Sequence, residues 1–174
     1  VGKLDEVVDS VDDAAEIARK TQKTVIETVE NSPDGTHGLT NLQKGNYGEM
    51  KMDEFFESQG YERISTDRVT DLNTPTHQGI DGVYYKDGPP PEYIIGEAKY
   101  GTSNLNKRLA DGTNQMDDDW IAKRIEKAIG EEEYEKYLEN KILYPDCETD
   151  VLLRINSDCT INEPIVLVDG NIVK

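Results

Sequence analysis

Hydrophobic residues recur at three- and four-residue steps along the N-terminal part of the chain. This spacing places them on one face of an α-helix, which we predict over residues 4–29. Pro33 and Gly35 cannot continue the helix. Two arrangements fit it equally: a stalk that connects the domain to an upstream part of a longer polypeptide, or a helix packed on the domain's own core. Residues 1–36 are therefore predicted to be a helical connector and linker.

A second helical pattern and several β-rich segments follow in residues 37–174, which we predict to form a single α/β domain. Asn46 with Glu49 three residues later resembles a capping box and predicts the start of a helix. Gly60 is expected to end this helix. The domain is expected to contain a small mixed sheet flanked by helices.

The strand patterns surround a strong turn. Residues 79–85 and 93–100 are rich in β-branched and aromatic side chains, and the Gly/Pro-rich run at residues 86–91 joins them into a hairpin. A short strand is predicted before the hairpin at residues 61–66. The elements after the hairpin are predicted to be helices at residues 114–129 and 131–140, strands at residues 151–155 and 165–168, and a short final strand.

Charge narrows the class of protein. The 174-residue chain has a net charge of −17, which disfavours a protein that coats DNA nonspecifically, because phosphates repel such a surface. The charge is uneven, since residues 81–130 carry a net −2 and are the least acidic stretch. No apolar run approaches the roughly 20 residues that span a bilayer. The first residues lack the pattern of a signal peptide, so any export signal is expected upstream.

Cys147 and Cys159 are the whole cysteine content of the chain. They form no CxxC pair and have no histidine cluster nearby, so the ligand spacing of a zinc site is absent. A single disulfide and two buried thiols both remain open.

The hairpin carries charged residues where a strand interior disfavours them. Asp81 lies on its first strand and Glu97 on its second, and an unpaired charge among apolar neighbours costs several kcal/mol. Lys99 projects on the same face as Glu97, because residues two apart in a strand share a face. A divalent cation would relieve the repulsion between converging carboxylates, and such hard ligands suit Mg²⁺ or Mn²⁺, with Zn²⁺ as a further candidate. Lys99 beside the cation could orient a water and stabilise charge on a phosphate.

Asp81 and the run Glu97-Ala98-Lys99 resemble the signature of the PD-(D/E)XK nuclease family, with Ile80 in place of the family proline. The resemblance implies a restriction-endonuclease-like fold and hydrolysis of DNA phosphodiester bonds. It also implies that Asp81 and Glu97 bind the metal, and that Lys99 acts on the attacking water.

Many members of this family also place a glutamate on the helix before the hairpin and a glutamine on the helix after it. Glu49 matches the first position, and it shares a helical stripe with Met52 and Phe56. Gln115 matches the second position, at the start of the predicted helix. The resemblance implies that Glu49 completes the metal site and that Gln115 orients water or phosphate.

Three segments carry a closer resemblance, to the C-terminal toxin domains of LXG-type polymorphic toxins of Bacillus-like bacteria: residues 42–51, 79–84 and 94–101. Related nuclease domains end contact-dependent inhibition proteins. The resemblance implies a DNase secreted as the tip of a longer toxin polypeptide and acting in the cytoplasm of the target cell. It also implies a cognate immunity protein that holds the DNase inactive.

Other residues could serve the same site. Five basic side chains could contact phosphates that flank it: Lys107, Arg108, Lys123, Arg124 and Lys127. An ordinary solvated surface explains them equally well. His37 and His77 could each be a metal ligand or a general base, although an exposed loop histidine is the favoured interpretation and His77 is the better candidate. Trp120 is expected in the core rather than stacked on a base.

Two other classes of function remain open. One is a binding module on the same fold that holds nucleic acid or protein without cutting it. The other is an interaction protein whose acidic surface docks a basic partner, as the acidic runs at residues 117–119 and 131–133 would allow. Within the nuclease class, RNA remains open beside DNA, because the candidate site does not name the sugar.

Overall fold

A six-stranded mixed sheet forms the centre of the protein, with its strands in the order β1 to β6. The computed structural model describes residues 3–173, with side chains from residue 12 onward. The strands are β1 (Glu62–Arg63), β2 (Gly82–Lys86), β3 (Glu92–Tyr100), β4 (Glu148–Ile155), β5 (Ile165–Val168) and β6 (Asn171–Ile172). Neighbouring strands are antiparallel, except that β3 and β4 are parallel.

Helices flank this sheet, so the predicted α/β class and the mixed sheet between helices are confirmed. The helices of the described residues are α1 (Lys3–Glu30), α2 (Asn41–Glu57), α3 (Asp118–Ala122), α4 (Ile125–Ile129) and α5 (Glu131–Leu143), with a 3₁₀ turn at Gly35–Gly38. None of these helices combines the length and apolar character that a membrane span requires. Cys147 and Cys159 are free thiols, the first buried and the second partly buried.

The sheet buries a different set of side chains on each face, as the two-residue period of a strand requires. Ile94 packs with Met52 of α2 on one face. Ile95 packs on the other face with Trp120 and the rest of α3 to α5. Helix α2 lies close to the sheet at Gly96, where an added Cβ would be 2.8 Å from Sδ of Met52. This close approach fixes α2, and the side chains it carries, against β3.

Helix α2 begins earlier than predicted. Thr40 is its N-cap, and Thr40 and Gln43 form a reciprocal capping box that satisfies the first free N–H groups. The prediction that Asn46 caps the helix is wrong, because Asn46 lies inside it. Its side-chain amide instead donates to the backbone carbonyls of Leu72 and Thr74, at 2.7 and 2.8 Å. Asn46 thus fastens the loop before β2 onto α2.

The single helix predicted over residues 114–129 is also wrong, because the structure has two short helices there. The carbonyl of Trp120 accepts a hydrogen bond from the Arg124 guanidinium, at 3.1 Å. The backbone N–H of Arg124 donates to the carbonyl of Ile121 instead, at 2.9 Å. The backbone ladder of α3 therefore closes with an N–H that reaches back three residues instead of four, and α4 begins at Ile125.

The second half of α1 packs on the domain. Ile26 and Val29 are buried in a cluster that includes Tyr47 and Met50 of α2. Gln22, one turn earlier, is only 3% exposed. From Gln22 onward the helix follows the second of the two arrangements considered from the sequence, in which it covers the domain's own core.

Candidate metal centre

Asp81 and Glu97 lie side by side, because the hairpin register pairs Gly82 with Gly96 and so sets the next residues opposite each other. Asp81, predicted on the first strand, precedes β2 by one residue, and Glu97 is in the middle of β3. The two residues are 9% and 3% exposed. The backbone N–H of Ala98 donates to Oδ2 of Asp81 at 3.0 Å. Antiparallel pairing therefore buries two acids next to each other.

The two oxygens of Glu97 have different surroundings. Oε1 accepts a 2.5 Å hydrogen bond from Nε2 of Gln115 and lies 3.2 Å from Nζ of Lys99. Oε2 is buried and has no hydrogen-bond partner among the described residues. Lys99 reaches Glu97 because the two side chains face the same side of β3, as their two-residue spacing predicts.

Gln115 approaches Glu97 from a turn. The prediction that Gln115 starts a helix is wrong, because α3 begins only after Asp117, whose side chain caps it. The backbone N–H of Gln115 donates to the carbonyl of Asn106, and its side-chain oxygen accepts from the N–H of Asn106. These two bonds leave the side-chain N–H free to donate to Glu97.

Both buried acids hold their protons more tightly than free carboxyls do. Burial raises the pKa of Asp81 well above its usual range, and the nearby charges of Glu97 and Glu49 raise it further. Burial raises the pKa of Glu97 to about 7, although Lys99 opposes this shift. A group that lowers the cost of burying negative charge here would therefore bind with both acids ionised.

A histidine and a third acid complete the cluster. Glu49 projects from α2, and Nε2 of His77 lies 3.5 Å from its Oε2. The carboxylate of Glu49, as acceptor of a hydrogen bond from the imidazole, raises the pKa of His77, against the lowering effect of burial. Glu49, His77 and Asp81 each offer one ligand atom, and these atoms lie within 4.8 Å of one another. His77 is half-buried, whereas the sequence favoured an exposed loop histidine.

These acids open into a cleft of about 580 Å³. The loop after β3 and the turn before α3 also line this cleft, together with Trp120 of α3 and Arg124 between α3 and α4. Trp120 is 3% exposed, so its prediction as a core residue is confirmed. The Arg124 guanidinium stacks 4.7 Å from the centre of the Trp120 ring and pairs with Asp111 at 3.0 Å. Arg124, one of the basic residues predicted to contact phosphates, is a cation that lines the cleft.

The other four basic residues predicted to contact phosphates are all exposed and lie outside the cleft lining: Lys107, Arg108, Lys123 and Lys127. They could reach only phosphates that flank the cleft. His37 is also exposed, in the 3₁₀ turn before α2.

A buried network of hydrogen bonds and charges around Asp53 and Arg63 holds the backbone of Asp81. NH1 of Arg63 donates to the backbone carbonyl of Asp81 at 3.1 Å and to Oδ1 of Asp53 at 2.5 Å. Tyr84 donates to the same oxygen, and Gln22 of α1 donates to the other oxygen at 2.7 Å. The sequence analysis missed this network. The signal that could have found it is Asp53, a charged residue on the apolar stripe of α2.

The donors present fit a divalent cation. Asp81, Glu49 and His77 offer ligand atoms that lie close together, whereas Glu97 lies outside that group. Glu97 is buried next to Asp81 in the hairpin, and one of its oxygens lacks a partner within the described part of the chain. Carboxylate oxygens and an imidazole nitrogen are common ligands of such ions.

Comparison of the chain with protein-family models, with curated proteins and with solved structures gives no match. The side-chain chemistry of the cleft, together with the sequence resemblance, is therefore the basis for the function proposed below.

Proposed function

We propose that this protein is a metal-dependent endonuclease that hydrolyses DNA phosphodiester bonds, with a PD-(D/E)XK fold. One observation carries the proposal: Asp81 and Glu97 are buried together at the floor of an open cleft, with Lys99 3.2 Å from Glu97. A structural ion pair would not need a second buried acid, and it would not leave an oxygen of Glu97 unbonded. An exposed ion pair, the plainest alternative, is excluded by the burial of Glu97.

The residues of the chain have distinct roles in this proposal. Asp81 and Glu97 hold the cation, and Glu49 supports it. The cation supplies positive charge that neutralises the carboxylates and polarises the scissile phosphate. Lys99 positions the attacking water and donates hydrogen bonds to phosphate oxygens as their charge grows. Gln115 holds Glu97 and orients water or phosphate.

The reaction is a hydrolysis at phosphorus. The water oxygen forms a bond to phosphorus while the bond from phosphorus to the leaving sugar oxygen breaks. The water loses a proton and the leaving oxygen gains one, so the products are a phosphate monoester and a free hydroxyl. The acidic surface of the protein repels DNA, so substrate binding depends on the cation and on the local positive charge of Lys99 and Arg124.

We also propose a biological setting from the resemblance of residues 42–51, 79–84 and 94–101 to bacterial polymorphic toxins. In this setting the nuclease is the tip of an exported toxin, acts in the cytoplasm of a competing cell, and is neutralised by an immunity protein. The support for this setting is the sequence alone.

The test compares the full chain with two variants, Glu97→Gln and Lys99→Met, on supercoiled DNA and on RNA. The reactions contain Mg²⁺, Mn²⁺, Zn²⁺ or EDTA. We expect each variant to lose at least about 100-fold of the DNA cleavage rate, because each removes one group that stabilises the transition state. Glu92→Gln is the matched control, since Glu92 is an exposed acid on the same strand.

DNA cleavage by Glu97→Gln at the rate of the unchanged chain would contradict the proposed mechanism. Cleavage of RNA alone would make the protein an RNase, and no cleavage with any cation would favour a non-catalytic binding protein. Circular dichroism of each variant should match that of the unchanged chain.

A further inference from the structure

We propose that His77 is a metal ligand, together with Glu49 and Asp81, so that the centre prefers first-row transition cations over Mg²⁺. This inference rests on the cation binding of the proposed function, but not on its DNA cleavage. It changes the ligand set, because the sequence favoured carboxylate ligands and an exposed His77, whereas the structure places His77 beside Glu49.

The spacing of the donors fits a shared ion. Two ligands that each bind one transition cation at about 2.1 Å lie about 3 to 4 Å apart. Nε2 of His77 and Oε2 of Glu49 are 3.5 Å apart, and a ligand atom of Asp81 lies within 4.8 Å of both residues' ligand atoms. Oδ2 of Asp81 is already bound by the N–H of Ala98. Oδ1 of Asp81 is therefore the oxygen that we assign to the ion.

A second observation points to a ligand at the same place. Glu97 lines the cleft, and only 3% of its surface is exposed. Its Oε2 has no hydrogen-bond partner among the described residues. An ion beside Asp81 would supply the positive charge that this buried oxygen lacks.

The backbone brings His77 to the cleft and holds it there. Asn46 of α2 donates to the carbonyls of Leu72 and Thr74, and Gln43 of α2 donates to Asn73 at 3.1 Å. These bonds fasten the loop onto the helix that also carries Glu49. A loop fastened to the helix of a second ligand limits the freedom that His77 loses on binding an ion.

The imidazole has a consequence for the choice of ion. Mg²⁺ prefers oxygen ligands and keeps much of its water, whereas imidazole nitrogen suits later transition cations. A site of carboxylates alone would favour hard ions. The Glu49, His77 and Asp81 set instead favours Mn²⁺ over Mg²⁺, and Zn²⁺ over Mn²⁺.

The chain offers a matched control, because it contains only two histidines, His37 and His77. His37 is exposed in the 3₁₀ turn and lies outside the cleft lining. The experiment titrates Mn²⁺ into the full chain and into His77→Gln and His37→Gln, and measures bound Mn²⁺ by electron paramagnetic resonance. Pulsed measurements then detect any nitrogen bound to Mn²⁺, and competition with Mg²⁺ gives the relative affinity.

We expect a nitrogen coupling in the unchanged chain and in His37→Gln, where His77 is the remaining imidazole. We expect His77→Gln to lose the coupling and to bind Mn²⁺ at least about 10-fold more weakly, with a smaller change for Mg²⁺. Absence of the coupling in His37→Gln would overturn the proposal and leave His77 as the ion-pair partner of Glu49 only. The same holds if His77→Gln keeps its full Mn²⁺ affinity.

The two proposals fail in different ways. Nitrogen-coordinated Mn²⁺ without cleavage of DNA would overturn the nuclease and leave the histidine site intact. DNA cleavage with Mn²⁺ held only by oxygen would do the reverse.

Discussion

Asp53 and Glu97 are both buried carboxylates beside the sheet, but the chain treats them differently. Asp53 is fully buried and receives hydrogen bonds on both oxygens, from Arg63, Tyr84 and Gln22. Glu97 is 3% exposed and has donors on Oε1 only. A buried charge is tolerated when it is paired and hydrogen-bonded. The chain therefore satisfies both oxygens of Asp53 by itself, although NH2 of Arg63 has no partner among the described residues, and it leaves one oxygen of Glu97 open to a ligand.

Arg63 joins the two regions. Its guanidinium pairs with the side chain of Asp53 but reaches only the backbone carbonyl of Asp81. The Arg63 guanidinium could neutralise the acids of the candidate metal centre, but its charge is paired with Asp53 instead. This arrangement keeps Asp81 in place without occupying its carboxylate oxygens.

The largest change in stability is expected from a substitution that breaks the pairing of Arg63 with Asp53. Arg63→Met should lower the free energy of unfolding by about 3–5 kcal/mol, because it leaves Asp53 buried without its cation. Urea denaturation measures the change. Arg19→Met is the control, since Arg19 is exposed and its 3.6 Å pair with Glu57 should be worth less than about 1 kcal/mol. Equal effects of the two substitutions would remove the distinction between the regions.

A smaller change, and a gain of stability instead of a loss, is expected from a substitution at the candidate metal centre. The raised pKa of Glu97, about 7, favours folding below the ordinary value of 4.5, and this contribution is lost as pH rises through 7. At pH 8 in EDTA, Glu97→Gln should therefore stabilise the protein by about 1–2 kcal/mol. It should also abolish the rise in melting temperature that Mn²⁺ gives the unchanged chain. Asp53→Asn is the counterpart, and it should destabilise under the same conditions.

A third buried acid, Asp150, extends the comparison between Asp53 and Glu97. Asp150 lies on β4, its Oδ1 has no partner among the described residues, and burial together with Glu148 raises its pKa to about 9. Its contribution to stability is present below its ordinary pKa and is lost as pH rises through 9. Asp150→Asn should therefore raise stability at pH 9 but not at pH 4.

Thermal unfolding in EDTA checks this last effect, with the exposed Asp146→Asn as control. Mn²⁺ should add no stability that depends on Asp150, since Asp150 lies on β4 outside the cleft that Asp81 and Glu97 line. A dependence on Mn²⁺ would mean that Asp150 also holds a cation, and that the candidate metal centre does not differ from this acid in the way proposed.

The sequence predicted the hairpin and its chemistry because both depend on local spacing. The turn at residues 86–91 joins the two strands, and the two-residue period places Glu97 and Lys99 on one face. The register that sets Asp81 against Glu97 follows from that turn. These features need only the positions of neighbouring residues in the chain.

Features that depend on distant contacts could not be predicted in the same way. Arg63 pairs with Asp53, and His77 approaches Glu49. Neither contact follows from the repeat of a helix or a strand, because the two partners lie in different elements or loops. The start of α2 was mistaken because the sequence offers two capping patterns, at Thr40 and at Asn46. Packing decided between them, since Asn46 is used to hold a loop.

The parallel pairing of β3 with β4 also bears on the order of events during folding. The β2–β3 hairpin closes over a short turn, whereas residues 101–147 separate β3 from β4. Closing a longer loop costs more entropy, and contacts between distant residues form more slowly. Gln115 lies within that long connection, so we expect a refolding chain to bring Asp81 and Glu97 together first. The amide that holds Glu97 would arrive later, and the finished cleft would be a late product of the folding reaction.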